Sequence, residues 1–319
     1  VRQDGPLDVF MAHMDVVFSD ETELPLRVED GRIYCPGVGD DTACLVCLLM
    51  AGKYIARHVD SPRWREIRGE DAPGLLLVCN AGEEGLGNLK GVRKICEDYG
   101  GRIKSFCTFD SSLSSIVDRA VGSKRFRVKV RTRGGHSYND FGNDNAIAGL
   151  ASLVGKLYKI QVPEGGKTTY NVGMISGGTS VNTIAQEAEM LYEFRSDKRE
   201  NLEYMERQFM EVLDRAKAEG MDVSFQVIGV RPCEGQVDPA QKQALTDWAH
   251  RVVEEMTGQA PKHHAGSTDC NIPLSLGIPS VCVGSFRGAG AHTREEYVET
   301  DSLEEGYKVA FGMIFGRRD

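Results

Sequence analysis

The sequence predicts an α/β protein: a mostly parallel sheet with helices on both faces, interrupted by a smaller α+β domain. Three observations carry this. Short continuous apolar runs alternate with helix-length stretches through the first third of the chain, as in parallel sheets covered on both faces. Near Val121 the pattern changes to strict alternation, with Phe126, Val128 and Val130 on one face and basic residues on the other, which marks a strand with one solvated face. After Pro232 the first pattern resumes. Residues 1–120 and 233–319 are therefore read as one discontinuous domain, and 121–232 as an insertion.

In order, residues 7–12 read as a strand ending at His13, and residues 42–58 as a helix rich in Leu, Val, Ala and Met with Asp41 as its N-cap. Residues 75–79 form an apolar run predicted to be a strand buried on both faces, ending in a loop over 80–87. Residues 106–109 form a further strand, with Asp110 behind it. Inside the insertion, strands are expected at 125–133, 169–176, 187–195 and 223–230, with helices at 145–158 and 201–219. That order, β-α-β-β-α-β, is the ferredoxin-like motif. A helix at 239–257, a strand at 278–283 and a closing helix at 300–315 complete the outer domain.

Composition narrows the function. The 319 residues carry 38 basic and 47 acidic side chains, a net charge of −9, which argues against a general nucleic-acid binder. The basic face of 125–133 reads as a solvated strand side. No apolar stretch approaches the ~20 residues of a membrane span and no signal peptide is visible. Nine scattered cysteines, an odd number, fit reduced thiols in a cytoplasmic protein. Cys44 and Cys47 form a lone C-x-x-C inside an apolar helix, where packing outweighs zinc or redox chemistry because no second pair completes a site. His58, His250, His263 and His264 read as surface residues, and Trp64 and Trp248 as packing.

The chemistry-bearing residues sit at strand ends, where open α/β sheets gather ligands. His13 and Asp15 make an H-x-D in which one residue can ligate a metal and the other orient the ring. Asp40 and Asp41 follow two glycines; Glu83 and Glu84 follow the strand at 75–79; Asp110 follows the next strand; His292 comes late in Gly290-Ala291-His292. Each cluster alone is weak. Together, two histidines and several carboxylates form an oxygen and nitrogen ligand set without thiolate, suited to zinc, manganese or cobalt. One carboxylate bridging two cations, with two more ligands on each, makes a two-metal hydrolytic site, and a spare glutamate serves as general base.

The chain also resembles the zinc-dependent exopeptidase and amidohydrolase family of carboxypeptidase G, peptidase T, aminoacylase and succinyl-diaminopimelate desuccinylase. The resemblance rests on AHMDVV (residues 12–17), PGVGDDTA (36–43), AGEEGLGNLKG (81–91), FDSS (109–112), RGGHSY (133–138) and GAHTREEYV (290–298). It implies that His13 binds one metal with Asp15 holding its ring, that Asp40 bridges both metals before a cis peptide bond, and that Glu83 is the general base. Glu84 and His292 would serve the second metal, and Asp110 the first. The insertion would be a lid and dimerisation domain, with His136 reaching the partner subunit's active site to stabilise the oxyanion. Asn182 and Arg195 match substrate-carboxylate contacts, and Gly266 opens a loop, 266–269, that lines the substrate pocket.

Two departures stand out. Many members have a lysine two residues after the bridging aspartate, where this chain has Thr42. Only twelve residues precede His13, and the chain opens with Val1, so an N-terminal segment is expected to be missing. The resulting expectation is a homodimeric hydrolase with two Zn2+ per chain, Co2+ or Mn2+ being alternatives. It would cleave a small peptide with a free carboxylate as an aminopeptidase- or tripeptidase-like enzyme. An N-acyl amino acid deacylase is the alternative within the family. A metal-free binding or scaffold protein is the alternative outside it, disfavoured because every ligand and the general base are present.

Overall fold

A computed structural model describes residues 5–18, 23–62, 69 and 72–316; Trp64 lies outside the described residues. The chain divides into two compact units, Val1–Ala120 with Glu234–Asp319, and Val121–Cys233.

In the first unit a six-stranded sheet runs in the order Lys262–Gly266, Ser115–Ala120, Ser280–Val283, Ile103–Phe109, Leu7–His13, Gly74–Asn80. Every pairing is parallel except that between Ser280–Val283 and Ser115–Ala120, so the expected mostly parallel sheet is present. The Leu7–His13 strand is buried along its whole length because successive side chains enter opposite cores. Phe10 and Ala12 join the helices Cys44–His58, Pro239–Thr257 and Ser302–Phe315. Val9 and Met11 join Lys90–Tyr99 and Asn271–Ser275 on the other side. Pro239–Thr257 is bounded by its sequence: the Asp238 side chain accepts from Gln241 N, Pro239 opens the first turn, and Gly258 closes it at φ +71°.

Some expectations need correction. Residues 75–79 pack on both faces, Leu75 and Leu77 against one core and Leu76 and Val78 against the other, but Gly74–Asn80 is the outermost described strand of its sheet and only half-buried over most of its length, with Cys79 exposed. Asp41 does not cap the following helix, whose N-cap is Ala43 with no side-chain bond. Its carboxylate turns inward and accepts from His13 N at 2.9 Å. The strands Ser115–Ala120 and Lys262–Gly266, and a small sheet formed by Arg27–Glu29, Arg32–Tyr34, Gly288–Ala289 and Tyr297–Glu299, were not foreseen. Cys44 and Cys47 are buried in the core, and all nine cysteines are free.

The second unit is a four-stranded antiparallel sheet in the order Asp222–Arg231, Gly122–Arg131, Glu187–Ser196, Thr168–Gly177, packed against helices Ala146–Leu157 and Arg199–Ala218. Phe126, Val128 and Val130 enter its core as their alternation requires. The basic row on the opposite face meets an acidic one. Arg125 pairs with Glu193, Arg127 with Glu189, Lys129 with both Glu187 and Glu189, and Arg131 with Glu187. The two ends of the unit lie side by side: a Cβ on Gly122, its second residue, would fall 2.8 Å from the backbone nitrogen of Cys233, its last.

Candidate metal centre

At the carboxyl end of the first unit's sheet, five separate segments converge. His13 ends its strand at 1% exposure. Its Nε2 lies 3.1 Å from Asp40 Oδ1, while His292 Nε2 lies 3.1 Å from Asp40 Oδ2 and 3.3 Å from Glu84 Oε1. Two ligand-type groups therefore share Asp40: His13 with Asp40 and Asp110, and Asp40 with Glu84 and His292. In each, as in a third set of His13, Glu83 and Glu84, the donor atoms lie within 4.8 Å of one another.

Local sequence makes this convergence feasible. Gly37 turns the chain at φ +77°, and a Cβ there would fall 2.3 Å from a Val16 methyl. Gly82 takes φ +87° at the start of the glutamate loop. His292 itself adopts the left-handed region at φ +66°, sparsely populated outside glycine and typical of functional sites. The Asp40–Asp41 peptide bond is cis.

Two carboxylates outside the ligand-type sets fasten the loops. Asp15 Oδ1 accepts from Gly82 N at 2.8 Å and Glu83 N at 3.3 Å, and Oδ2 from Glu84 N at 2.9 Å. Glu296 holds the loop that carries Asp40 in the same manner. Sequence reasoning missed Glu296, because its partners are backbone groups more than 250 positions earlier in the chain.

The electrostatics fit cations. His13 Nε2 and Glu84 Oε1 are buried without a hydrogen-bond partner; the Nε2 is near Asp40 Oδ1 but not directed at it as a hydrogen bond. Burial, then the charges of Asp40 and Glu83, push the Glu84 carboxyl up to about 7. Burial and Glu83 drive Asp110 well above the usual carboxylate range. Burial opposes charging of His13, but Asp40, Asp41, Asp110 and Glu83 together raise it to about 11. Burial likewise opposes ionisation of Asp40, yet His13 and His292 hold it below its ordinary value. A donor set so crowded with carboxylates is costly unless positive charge sits among them, and neutral imidazole with carboxylate oxygen is a common ligand set for zinc.

A pocket of about 220 Å³ opens beside Asp40 and Asp110, walled by Ser111, Ser112, Phe286 and the 288–291 segment. A larger cavity, about 600 Å³ at Asp8, Lys104, Trp248 and Arg251, lies where the Leu7–His13 strand begins. It is the wrong end of the sheet for the chemistry.

Other segments carry the remaining candidates. Gly266 ends the Lys262–Gly266 strand of the first unit, paired with Ala120. His136 and Asn182 fall together in the second unit, where Gly135–His136 pairs with Thr183–Ile184 and Ser137 N donates to the Asn182 carbonyl at 3.0 Å. Both are exposed. His136 Nδ1 accepts from Tyr138 N at 3.2 Å, which assigns the ring proton to Nε2. Arg195 is held by Glu193, Nε to Oε1 at 2.8 Å and Nη2 to Oε2 at 3.2 Å. It does not lie near Asn182: Glu187, beyond which the Asn182 loop begins, is eight residues from Arg195 on one continuous strand, about 26 Å of extended chain. His263 is exposed, as expected, and takes part in a small surface network: His250 Nδ1 and His263 Nε2 are 2.9 Å apart and His263 Nδ1 reaches Asp118 at 2.8 Å.

The model of peptidase family M20/M25/M40 matches residues 9–315. The chain belongs to that family. This M20 chain is accordingly a hydrolase of the metallopeptidase and amidohydrolase kind, as the sequence resemblance implied. It is 24% identical to succinyl-diaminopimelate desuccinylase of Nitrosomonas eutropha, over 94% of this chain and 80% of that one. It is also 24% identical to acetylornithine deacetylase of Myxococcus xanthus, over 92% and 75%. Among solved structures, the fold is similar to aminopeptidase PepT from Bacillus cereus, with a TM-score of 0.69 and 22% identity over 98% of this chain and 81% of that one. It is similar too to an M20 metallo-carboxypeptidase from Sulfolobus solfataricus, with a TM-score of 0.75 and 16% identity over 98% and 85%. Among the described residues, no helix is long and apolar enough to cross a membrane.

Proposed function

We propose that this M20 chain hydrolyses a peptide or amide bond of a small substrate bearing a free carboxylate, with two divalent cations at the centre around Asp40. The observation that carries the reading is the Asp40 carboxylate, whose two oxygens each lie 3.1 Å from a different histidine. His13, Asp40 and Asp110 would hold one cation, and Asp40, Glu84 and His292 the other. Zinc suits these donors, and cobalt or manganese would also be accepted. When bound, such a pair polarises a carbonyl and makes water nucleophilic near neutral pH.

The chain's own groups do the rest. Glu83, 5% exposed and beside His13 and Glu84, takes the proton from water and delivers it to the leaving amine. Asp15 keeps Glu83 and Glu84 in place through their backbone. The Nε2–H of His136 donates to the oxyanion. Arg195 and Asn182 bind the substrate carboxylate, and Gly266 opens the loop along the substrate pocket. Arg195 lies near the end of the Glu187–Ser196 strand and Asn182 in the loop before its start, so meeting on one carboxylate requires two protomers. This supports a homodimer built through residues 121–232, acting as lid and dimerisation domain, with His136 working in trans. Nine free thiols favour the cytoplasm.

An aminopeptidase- or tripeptidase-like exopeptidase is the first reading, supported by the fold likeness to such enzymes. An N-acyl amino acid deacylase is the second, supported by the desuccinylase and deacetylase among the relatives. A screen of di- and tripeptides against N-acyl amino acids, with Zn2+, Co2+ and Mn2+ added in turn, separates them. Turnover of neither class by protein carrying two ions per chain would sink both.

A further inference from the structure

Glu296 is 2% exposed, and burying a carboxylate is costly unless its oxygens are satisfied. Its Oε2 accepts from Gly37 N at 2.7 Å, and its Oε1 from Gly39 N at 2.9 Å and Asp40 N at 2.8 Å. Three backbone donors on its two oxygens supply that satisfaction. The donors need an acceptor from outside their own loop. The Asp40 carboxylate faces His13 and His292, and Asp41 Oδ2 accepts from His13 N. The backbone reinforces the junction: Cys35 N donates to the Glu296 carbonyl at 3.1 Å, and Tyr297–Glu299 pairs with Arg32–Tyr34. Phe286 packs against the same loop, since a Cβ on Gly39 would fall 2.6 Å from its ring.

Glu296 stands four residues after His292 and bonds the nitrogen of Asp40 itself. One side chain therefore ties the segment carrying the late histidine to the loop carrying the shared carboxylate. We infer that Glu296 is a positioning residue, which keeps Asp40 in register with both His13 and His292 and so fixes the edge common to the two cation sites. This role rests on the two-cation reading of the centre. It differs from a plain loop cap in what it predicts: a cap affects folding, whereas a positioning residue affects cation affinity and ligand-field geometry in protein that is still folded.

Glu296→Gln keeps the side-chain volume but turns an NH2 group toward the backbone donors. Asp8→Asn serves as the comparison: Asp8 is also buried, bonds Ser105, and lies at the far end of the Leu7–His13 strand. Both variants and wild type are titrated with Co2+ under anaerobic conditions. Affinity, stoichiometry and visible absorption are recorded, together with hydrogen–deuterium exchange of the metal-free proteins. Glu296→Gln should weaken Co2+ binding about 10- to 100-fold, the usual effect of losing an outer-shell partner, alter the cobalt bands, and speed exchange across residues 36–41. Asp8→Asn should leave the cobalt titration and spectrum as in wild type. Unchanged Co2+ affinity and spectrum in Glu296→Gln overturn the inference, as does equal weakening in both variants. Wild type binding fewer than two ions removes the two-cation reading instead. In that case the single remaining ion decides: weaker binding and altered bands in Glu296→Gln but not in Asp8→Asn keep Glu296 as the holder of Asp40, and unchanged or absent binding overturns it. Should Glu296→Gln not fold, Glu296→Asp, which keeps the charge and withdraws it by one methylene, faces the same outcomes.

Discussion

The His13 ring meets the backbone of Asp15 rather than its side chain: Nδ1 lies 2.9 Å from the Asp15 carbonyl oxygen and 3.8 Å from Oδ1. A carbonyl acceptor puts the proton on Nδ1 and leaves Nε2 free to ligate. The Asp15 carboxylate is thereby released to organise Gly82, Glu83 and Glu84. The two halves of one residue serve two different ligand-bearing segments.

Asp15→Asn should therefore spare the ring contact and damage the glutamate loop. Replacing a charged acceptor of three amide donors costs about 1–3 kcal/mol. We expect a lowered melting temperature of the metal-free protein and a drop in kcat, with affinity for the first cation retained. Isothermal titration that finds the first cation lost and the 82–84 amides still protected would reverse this assignment.

Glu83→Gln should fold and load metal like wild type while losing about 10²–10⁴-fold in kcat, the usual contribution of general base catalysis. Full activity would move the base elsewhere. Loss of a metal ion would make Glu83 a ligand.

If His136 works across a dimer, mixing His136→Ala chains with Glu83→Gln chains should restore activity. Random exchange makes half the dimers mixed, each with one complete site, so about a quarter of wild-type activity is expected. Mixed dimers that form and stay inactive would place His136 outside the reaction.

The Arg195–Glu193 pair separates a structural from a substrate-binding role. Burial works against ionisation of Glu193, but Arg195 and Arg125 overcome it and hold the carboxyl below its ordinary value. A depressed carboxyl contributes stability that is fully present above its unfolded value, about 4.3, and lost as pH falls through the folded value. The melting-temperature gap between wild type and Glu193→Gln should thus be widest near neutrality and close in acid. A gap that stays constant with pH would mean that the pair contributes packing and no charge. Arg195→Lys loses the two-pronged geometry, and turnover of free-carboxylate substrates should fall while that of their amidated forms, already poor, barely changes. Equal wild-type turnover of both forms would end the carboxylate role.

Much of the centre was legible because each ligand-type residue directly follows an apolar strand or a glycine turn, and parallel sheets gather such residues at one end. The strands that escaped notice had no comparable signal. Lys262–Gly266 is Lys-His-His-Ala-Gly at a sheet edge, half-exposed or exposed throughout, and Ser115–Ala120 carries Asp118 and Arg119 among its apolar residues. The run at 75–79 is apolar enough for a sheet centre, yet composition does not tell an outermost strand from an inner one. Glu296 and the carboxylate role of Asp15 were hidden for a different reason: both act on backbone amides, which every residue has and no motif marks. Arg195 was recognisable as an arginine on a strand, but its distance from Asn182 depends on strand register, which a motif does not encode.

The meeting of Gly122 with Cys233 has a consequence for how such a chain tolerates interruption. The chain leaves the first unit after Ala120 and re-enters it at Glu234, and the ends of the intervening segment, Gly122 and Cys233, approach within a few ångströms. The ring-closure entropy that a wide gap would impose on the outer unit is small, and a complete four-stranded module with its own core can be carried there as a cassette. Replacing 122–233 with a short glycine-serine tether should leave a foldable outer unit, and the excised module should fold by itself.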